Sequence, residues 1–268
     1  MRSSHLMIFP SVALLVLVGF FTVTTHPSTQ TQKPIPDNVK VRNKTSGYEV
    51  LDAKMEGTRM SISLRNNYQQ KITATVLSFG PTSSVRGDWA FAEDSDGLAS
   101  GEKREENFYF SLPLKPRYDV TVEAVVLEDG TGDGDPLFYQ DIMETRVGYA
   151  IQCKRTLKLL RSPSKAVAAQ EDQVSRLRLE LATVLAAPET ETVAEMVRMR
   201  PAGFVNRYSD ADSLLPGGVQ LGLGNGAQDI LRRIDELDRR KPLNESLLRL
   251  TRFCENSLNK VKLPNVSP

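Results

Sequence analysis

The chain is predicted to be an α+β protein: an N-terminal hydrophobic segment, an antiparallel β-sandwich, and then a helical region. Three observations predict this. Residues 6–23 form an uncharged run, and apolar and polar residues alternate with period two from Tyr48 to Val126. Beyond Pro136 the apolar spacing changes to three and four, the period of a helix. The boundaries that follow are 1–25 for a signal peptide or signal anchor, 26–45 for a flexible spacer, 46–135 for the sandwich and 136–268 for the helical region.

Arg2 precedes the run Leu6–Val23, which is 18 residues long. As a helix it would extend about 27 Å, just short of the roughly 30 Å hydrocarbon core of a bilayer. The positive charge sets the N-terminus inside, so everything downstream is exported. Val23-Thr24-Thr25 is a poor match to the small residues of a signal cleavage site, and no cysteine follows closely enough for lipoprotein processing. An uncleaved span and a cleaved signal stay open on equal terms, with a buried core helix as the third reading. If uncleaved, residues 6–23 make the membrane itself a partner. The next stretch, PSTQTQKPIPDN, is rich in Pro, Ser, Thr and Gln and reads as a spacer.

The first strand is expected around Tyr48–Met55. Met60, Ile62 and Leu64 then alternate with Ser61, Ser63 and Arg65, and Asn66-Asn67 marks a turn. Ile72, Ala74 and Val76 alternate with polar neighbours; Trp89 and Phe91 follow; after a loop, Phe108, Phe110 and Leu112 repeat the pattern. Val120, Val122, Ala124 and Val126 share one face of the last strand. Short strands about ten residues apart, with turn signals between them, argue a sandwich of about 90 residues.

The loop Asp129-Gly-Thr-Gly-Asp133-Gly-Asp135 hands the last strand to the first helix. Its glycines tolerate positive φ, and Asp135-Pro136 reads as N-cap plus first helical residue. That helix carries Ile142, Tyr149, Ala150, Cys153, Leu157 and Leu160 on one stripe. Arg146 falls on the same line and is expected to reach an acidic partner at the rim. Val174, Leu177, Leu181, Val184 and Leu185 define a second helix, and a short third covers Thr190–Met199. LLPGGVQLGLGNG reads as a glycine-rich connector. Ile230, Leu231, Ile234 and Leu237 then mark a fourth helix, and Leu247, Leu250, Cys254, Leu258 and Val261 a fifth.

The run SISLRNNYQQKITATVLSFG, followed by VVLEDGTGDGD and a helix, resembles exported bacterial proteins that carry an immunoglobulin-like sandwich. The resemblance covers residues 47–160. It implies an immunoglobulin-like β-sandwich and no activity that can be carried over to this chain.

Both histidines, His5 and His26, lie in the tail or spacer. Ser-His-Asp and Cys-His catalysis in their usual forms are therefore excluded, as is histidine-ligated zinc. Asp129, Asp133 and Asp135 offer oxygen ligands at alternate positions and raise a calcium reading. The twelfth position of that count is Gln140, where an EF-hand places a bidentate glutamate, and a strand precedes the loop. A turn with a helix cap is the competing reading. Gly222-Leu-Gly224-Asn-Gly226 lacks the lysine of a phosphate loop. The acidic pairs Glu105-Glu106 and Asp94/Asp96 read as a solvated edge, with no cleft of the kind that a carboxylate hydrolase needs. Asn43, Asn244 and Asn265 head glycosylation sequons, which matter only in a eukaryotic source.

Cys153 and Cys254 are the only cysteines, and both sit on apolar stripes. In an oxidising compartment they are either bridged or buried as free thiols. Residues 40–135 hold 12 basic and 16 acidic residues and residues 136–268 hold 20 and 16, a net −4 against +4. That balance is too mild for a nucleic-acid surface. The function expected is that of a non-enzymatic, exported or membrane-anchored cell-envelope protein that binds or scaffolds a protein or glycan partner; the alternatives are a calcium-binding envelope module using the Asp129–Asp135 loop and, third in order, a carboxylate-based envelope hydrolase. No cofactor is expected apart from calcium in the alternative reading.

Overall fold

A computed structural model describes residues 39–80, 83–91, 97–110, 118–161, 170–187, 189–199, 215–236 and 243–263. Those residues are about 50% helical and 32% strand, an α+β protein. Among the described residues no helix is long and apolar enough to cross a membrane; Leu6–Val23 lies outside them.

The strands are β1 (Val39–Asn43), β2 (Tyr48–Glu56), β3 (Arg59–Asn66), β4 (Ile72–Phe79), β5 (Ser83–Asp88), β6 (Lys103–Tyr109), β7 (Tyr118–Leu127) and β8 (Gly132–Gly134). The helices are α1 (Pro136–Leu160), α2 (Gln170–Leu185), α3 (Glu189–Met199), α4 (Gly217–Asp235) and α5 (Leu243–Val261). One sheet runs β1-β7-β4-β5 with β8 on β7, and the other runs β2-β3-β6. Tyr48, Ile62, Leu64 and Phe108 from the second sheet share a core with Ile72, Leu77, Val120 and Val122 from the first.

The strand β1 lies inside the stretch read as spacer. Its two inward valines, Val39 and Val41, make too short a pattern to be noticed, and its parallel partner β7 is remote in sequence. Trp89 and Phe91 do not form a strand. Asp88 Oδ1 accepts the Ala90 amide at 3.0 Å and closes a single 3-10 turn over Trp89–Phe91.

Two bulges give the first sheet a second buried face. Pairing passes from Ile72↔Leu127 to Ala74↔Val126, leaving Thr73 unmatched, and from Val76↔Ala124 to Leu77↔Val122, leaving Glu123 unmatched. Each bulge reverses the alternation. Val120, Val122 and Val125 therefore face the other sheet, whereas Val126 joins Ala74, Val76 and the helices in a second core. The expected single face of β7 is divided at Glu123. Both bulged residues are polar anchors, as shown below.

Helix α1 is enclosed. Every residue from Ile142 to Cys153 is buried, including Glu144, Thr145, Arg146 and Gln152, so the expected single stripe understates its burial. The reason lies partly in α4, which starts at Gly217 and takes in the residues read as a connector. Gly218, Gly222 and Gly226 recur every four residues and present a strip without Cβ atoms to α1. A Cβ on Gly222 would stand 2.0 Å from the Thr145 carbonyl oxygen, and one on Gly148 of α1 2.2 Å from that of Val219. Gly224, one helical face away, meets nothing within 4 Å. Two alanine substitutions then have opposite signs. Gly222→Ala costs about 1–3 kcal/mol by forcing the backbones apart, and Gly224→Ala gains up to about 1 kcal/mol of helix propensity. Urea denaturation of both variants reads the difference.

Candidate functional site

The chemistry expected of the Asp/Gly loop depends on what its carboxylates face. Asp129 Oδ1 accepts the Thr131 amide at 2.9 Å and its hydroxyl at 2.6 Å, and Oδ2 accepts Gln70 Nε2 at 2.9 Å. The Thr131 bonds, with Gln70, hold this carboxyl below its ordinary range. Asp133 Oδ2 accepts the Ser46 amide at 2.6 Å, the Ser46 hydroxyl at 2.7 Å and the Tyr68 hydroxyl at 2.5 Å, while Oδ1 takes the Gly134 amide at 2.8 Å. Burial works against ionisation of Asp133, but these bonds outweigh it and keep the group below the usual range.

Asp135 is the N-cap of α1, accepting Leu137 N–H at 2.9 Å, as expected. Its other oxygen pairs with Lys44 Nζ at 3.0 Å, and Lys44 also reaches Glu123 Oε2 at 2.7 Å. The bonds to Glu123 and Asp135 raise the Lys44 ammonium above its ordinary range. Gly134 makes this arrangement possible. At φ +104° it passes so close to β7 that a Cβ would lie 2.3 Å from the Glu123 carbonyl oxygen.

The loop thus ties three chain segments together: the β1–β2 turn through Lys44 and Ser46, the β3–β4 turn through Tyr68 and Gln70, and the start of α1. Asp129, Asp133 and Asp135 each face different donors of the fold, and among the described residues no group of three His, Cys, Asp or Glu side chains is placed to hold a metal ion.

A second polar cluster joins the first sheet to α1. Arg146 is fully buried, at 0% side-chain exposure, and Asp88 is 9% exposed. The guanidinium donates to both Asp88 oxygens at 2.9 Å and to Thr73 Oγ1 at 3.0 Å. The acidic partner anticipated for Arg146 exists, but in the interior and not at the rim. α1 is covered by sheet and helices together, so its polar stripe has no rim to reach. The bulge at Thr73 delivers the third ligand. Arg86, two residues before Asp88 on β5, pairs with the Asp141 carboxylate and donates to Thr145 Oγ1 at 2.5 Å.

A third cluster lies between the sheets. Glu105 is exposed as expected, but Glu106 is only 5% exposed and shares the inward face of β6 with Arg104 and Phe108. Burial pushes its carboxyl up to about 7, against the pull of Arg104. Arg104 also lies over the Trp89 ring, 4.9 Å from its centroid. Tyr48, fully buried on β2, has its hydroxyl raised by burial and by Glu106. Asp94 and Asp96 lie outside the described residues.

The structure does bring Cys153 and Cys254 together. Both are buried thiols, on α1 and α5, in the core that the helices share. Gly222, Gly224 and Gly226 sit within α4, so they cradle no phosphate. The Asn43 amide is engaged, donating to the Tyr48 carbonyl at 2.5 Å and accepting from Thr45. The solvated edge expected for Glu105-Glu106 is therefore corrected at Glu106, and Asp88 is a residue that the sequence does not single out. The parity of Glu106 with Phe108 was the available signal for the first. Nothing local singles out Asp88, because its partner is 58 residues away.

No protein-family model, no curated protein and no solved structure matches the chain.

Proposed function

We propose that the chain is a non-enzymatic, exported or membrane-anchored cell-envelope protein whose folded body binds or scaffolds a protein or glycan partner. One observation carries this reading: the carboxylates that the sequence offers for chemistry accept hydrogen bonds from the fold's own turns and caps, and so act as fasteners. Asp133, with four such bonds, is the clearest case. The uncharged run Leu6–Val23 behind Arg2 supports export.

The strand connections support an immunoglobulin-like body. β2, β3 and β6 stand as strands A, B and E would in one sheet, and β5, β4 and β7 as C′, C and F would in the other. The position beside F belongs to β1, which enters parallel to β7. Partner contacts then fall to the sandwich loops or to a sheet edge.

Protease treatment of intact and of lysed cells that express the full chain tests the location. The body is expected to be digested once the extracytoplasmic side is exposed. Protection until the cytoplasm opens overturns the reading. The calcium-module alternative is separated by thermal melts: millimolar calcium leaves Tm unchanged on the present reading, whereas a rise of several degrees supports a calcium site.

A further inference from the structure

We infer that Cys153 and Cys254 form an intramolecular disulfide that fastens α5 onto α1. The two helices pack against each other, and both cysteines are 0% exposed within one apolar cluster that includes Tyr149, Leu250, Phe253 and Leu258. Cys254, and Ser257 one turn further along α5, lie near enough to the Cys153 thiol to act on its ionisation. No other cysteine exists in the chain, so each has a single intramolecular partner.

The bond forms by exchange with an oxidised dithiol, either the disulfide of an extracytoplasmic oxidoreductase or that of glutathione. One cysteine thiolate attacks that disulfide and expels a thiol. The second cysteine attacks the mixed disulfide, releases the other thiol and closes the Cys153–Cys254 bond. Two protein thiols are oxidised and one external disulfide is reduced to two thiols. Hydrogen bonding to Cys254 and burial hold the Cys153 thiol well above its ordinary pKa, which leaves little thiolate in the folded state. Exchange therefore precedes the closure of α5 on α1, and the finished bond is sealed from reductants. The oxidant is supplied only if the chain is exported, so the bond in cells rests on that reading.

Refolding the reduced chain in a glutathione redox buffer, followed by intact mass and thiol labelling under denaturing conditions, tests the geometry alone. The expected product is a monomer that has lost two hydrogens, labels no thiol without reductant, and melts about 10 °C above its reduced form. Two labelled thiols, glutathione adducts or a disulfide-linked dimer overturn the inference. The Cys153→Ser/Cys254→Ser variant is expected to melt at one temperature with or without reductant; a persisting reductant effect counts against the bond. The same labelling on protein drawn from its native cells separates the two proposals. A bond made in the redox buffer but missing in cells contradicts export and leaves the geometry standing.

Discussion

Replacing Asp88 with alanine is expected to lower stability by about 3–5 kcal/mol, because it leaves Arg146 charged and buried with Thr73 as its remaining partner among the described residues. Removing the carboxylate also strips the 3-10 turn of its cap at Ala90. The loss is not the worth of the ion pair. Bringing both charges out of water costs several kcal/mol, which their attraction only roughly offsets. The double variant Asp88→Leu/Arg146→Met should therefore be much closer to the original protein than Asp88→Ala is. Urea unfolding of the three proteins measures this. If the double variant is as unstable as the single one, the pair supplies positive stability that the present account does not assign to it.

Replacing Glu106 with glutamine is expected to make the protein more stable at pH 8 by about 3 kcal/mol while changing little at pH 4.5. The sign follows from the direction of the shift. The folded carboxyl is pushed up to about 7 from its ordinary 4.5, so the folded state holds a proton that the unfolded chain releases. The stabilisation is complete below pH 4.5 and is lost as pH rises through 7. Tyr48 on β2 lies near enough for this carboxyl to act on its hydroxyl, and Arg104 on β6 is the cation that opposes the shift. Glutamine keeps the shape of the protonated acid and cannot ionise. Stability curves should diverge between pH 4.5 and about 7 and keep a constant separation above that; curves parallel throughout would place the Glu106 carboxyl in contact with solvent.

Period alone made much of the fold legible. The alternations at Met60–Leu64 and Ile72–Val76, and the stripes through Leu181 and Leu250, mark elements that the structure contains. The omissions share a physical cause: each depends on a partner distant in sequence. β1 is a strand because β7 lies beside it. The glycines of α4 are helical because α1 needs a surface without side chains, and composition disguised the four-residue spacing that betrays this. The division of β7 at Glu123 comes from a bulge whose purpose is visible only with Lys44 in place. The candidate site was legible as a cap, since Asp135-Pro136 reads directly. The bonds of Asp133 to Ser46 and Tyr68 were not, lying 87 and 65 residues away.

Buried polar anchors are expected to make the two sheets and the helices around α1 one cooperative unit. The chain offers two independent reporters. Trp89, the only tryptophan, lies in the core between the sheets, and circular dichroism at 222 nm follows the helices. Equilibrium urea unfolding monitored by both should give superimposable transitions with one midpoint. Loss of the helical signal at a urea concentration where Trp89 is still native would contradict the account and show two bodies that unfold separately.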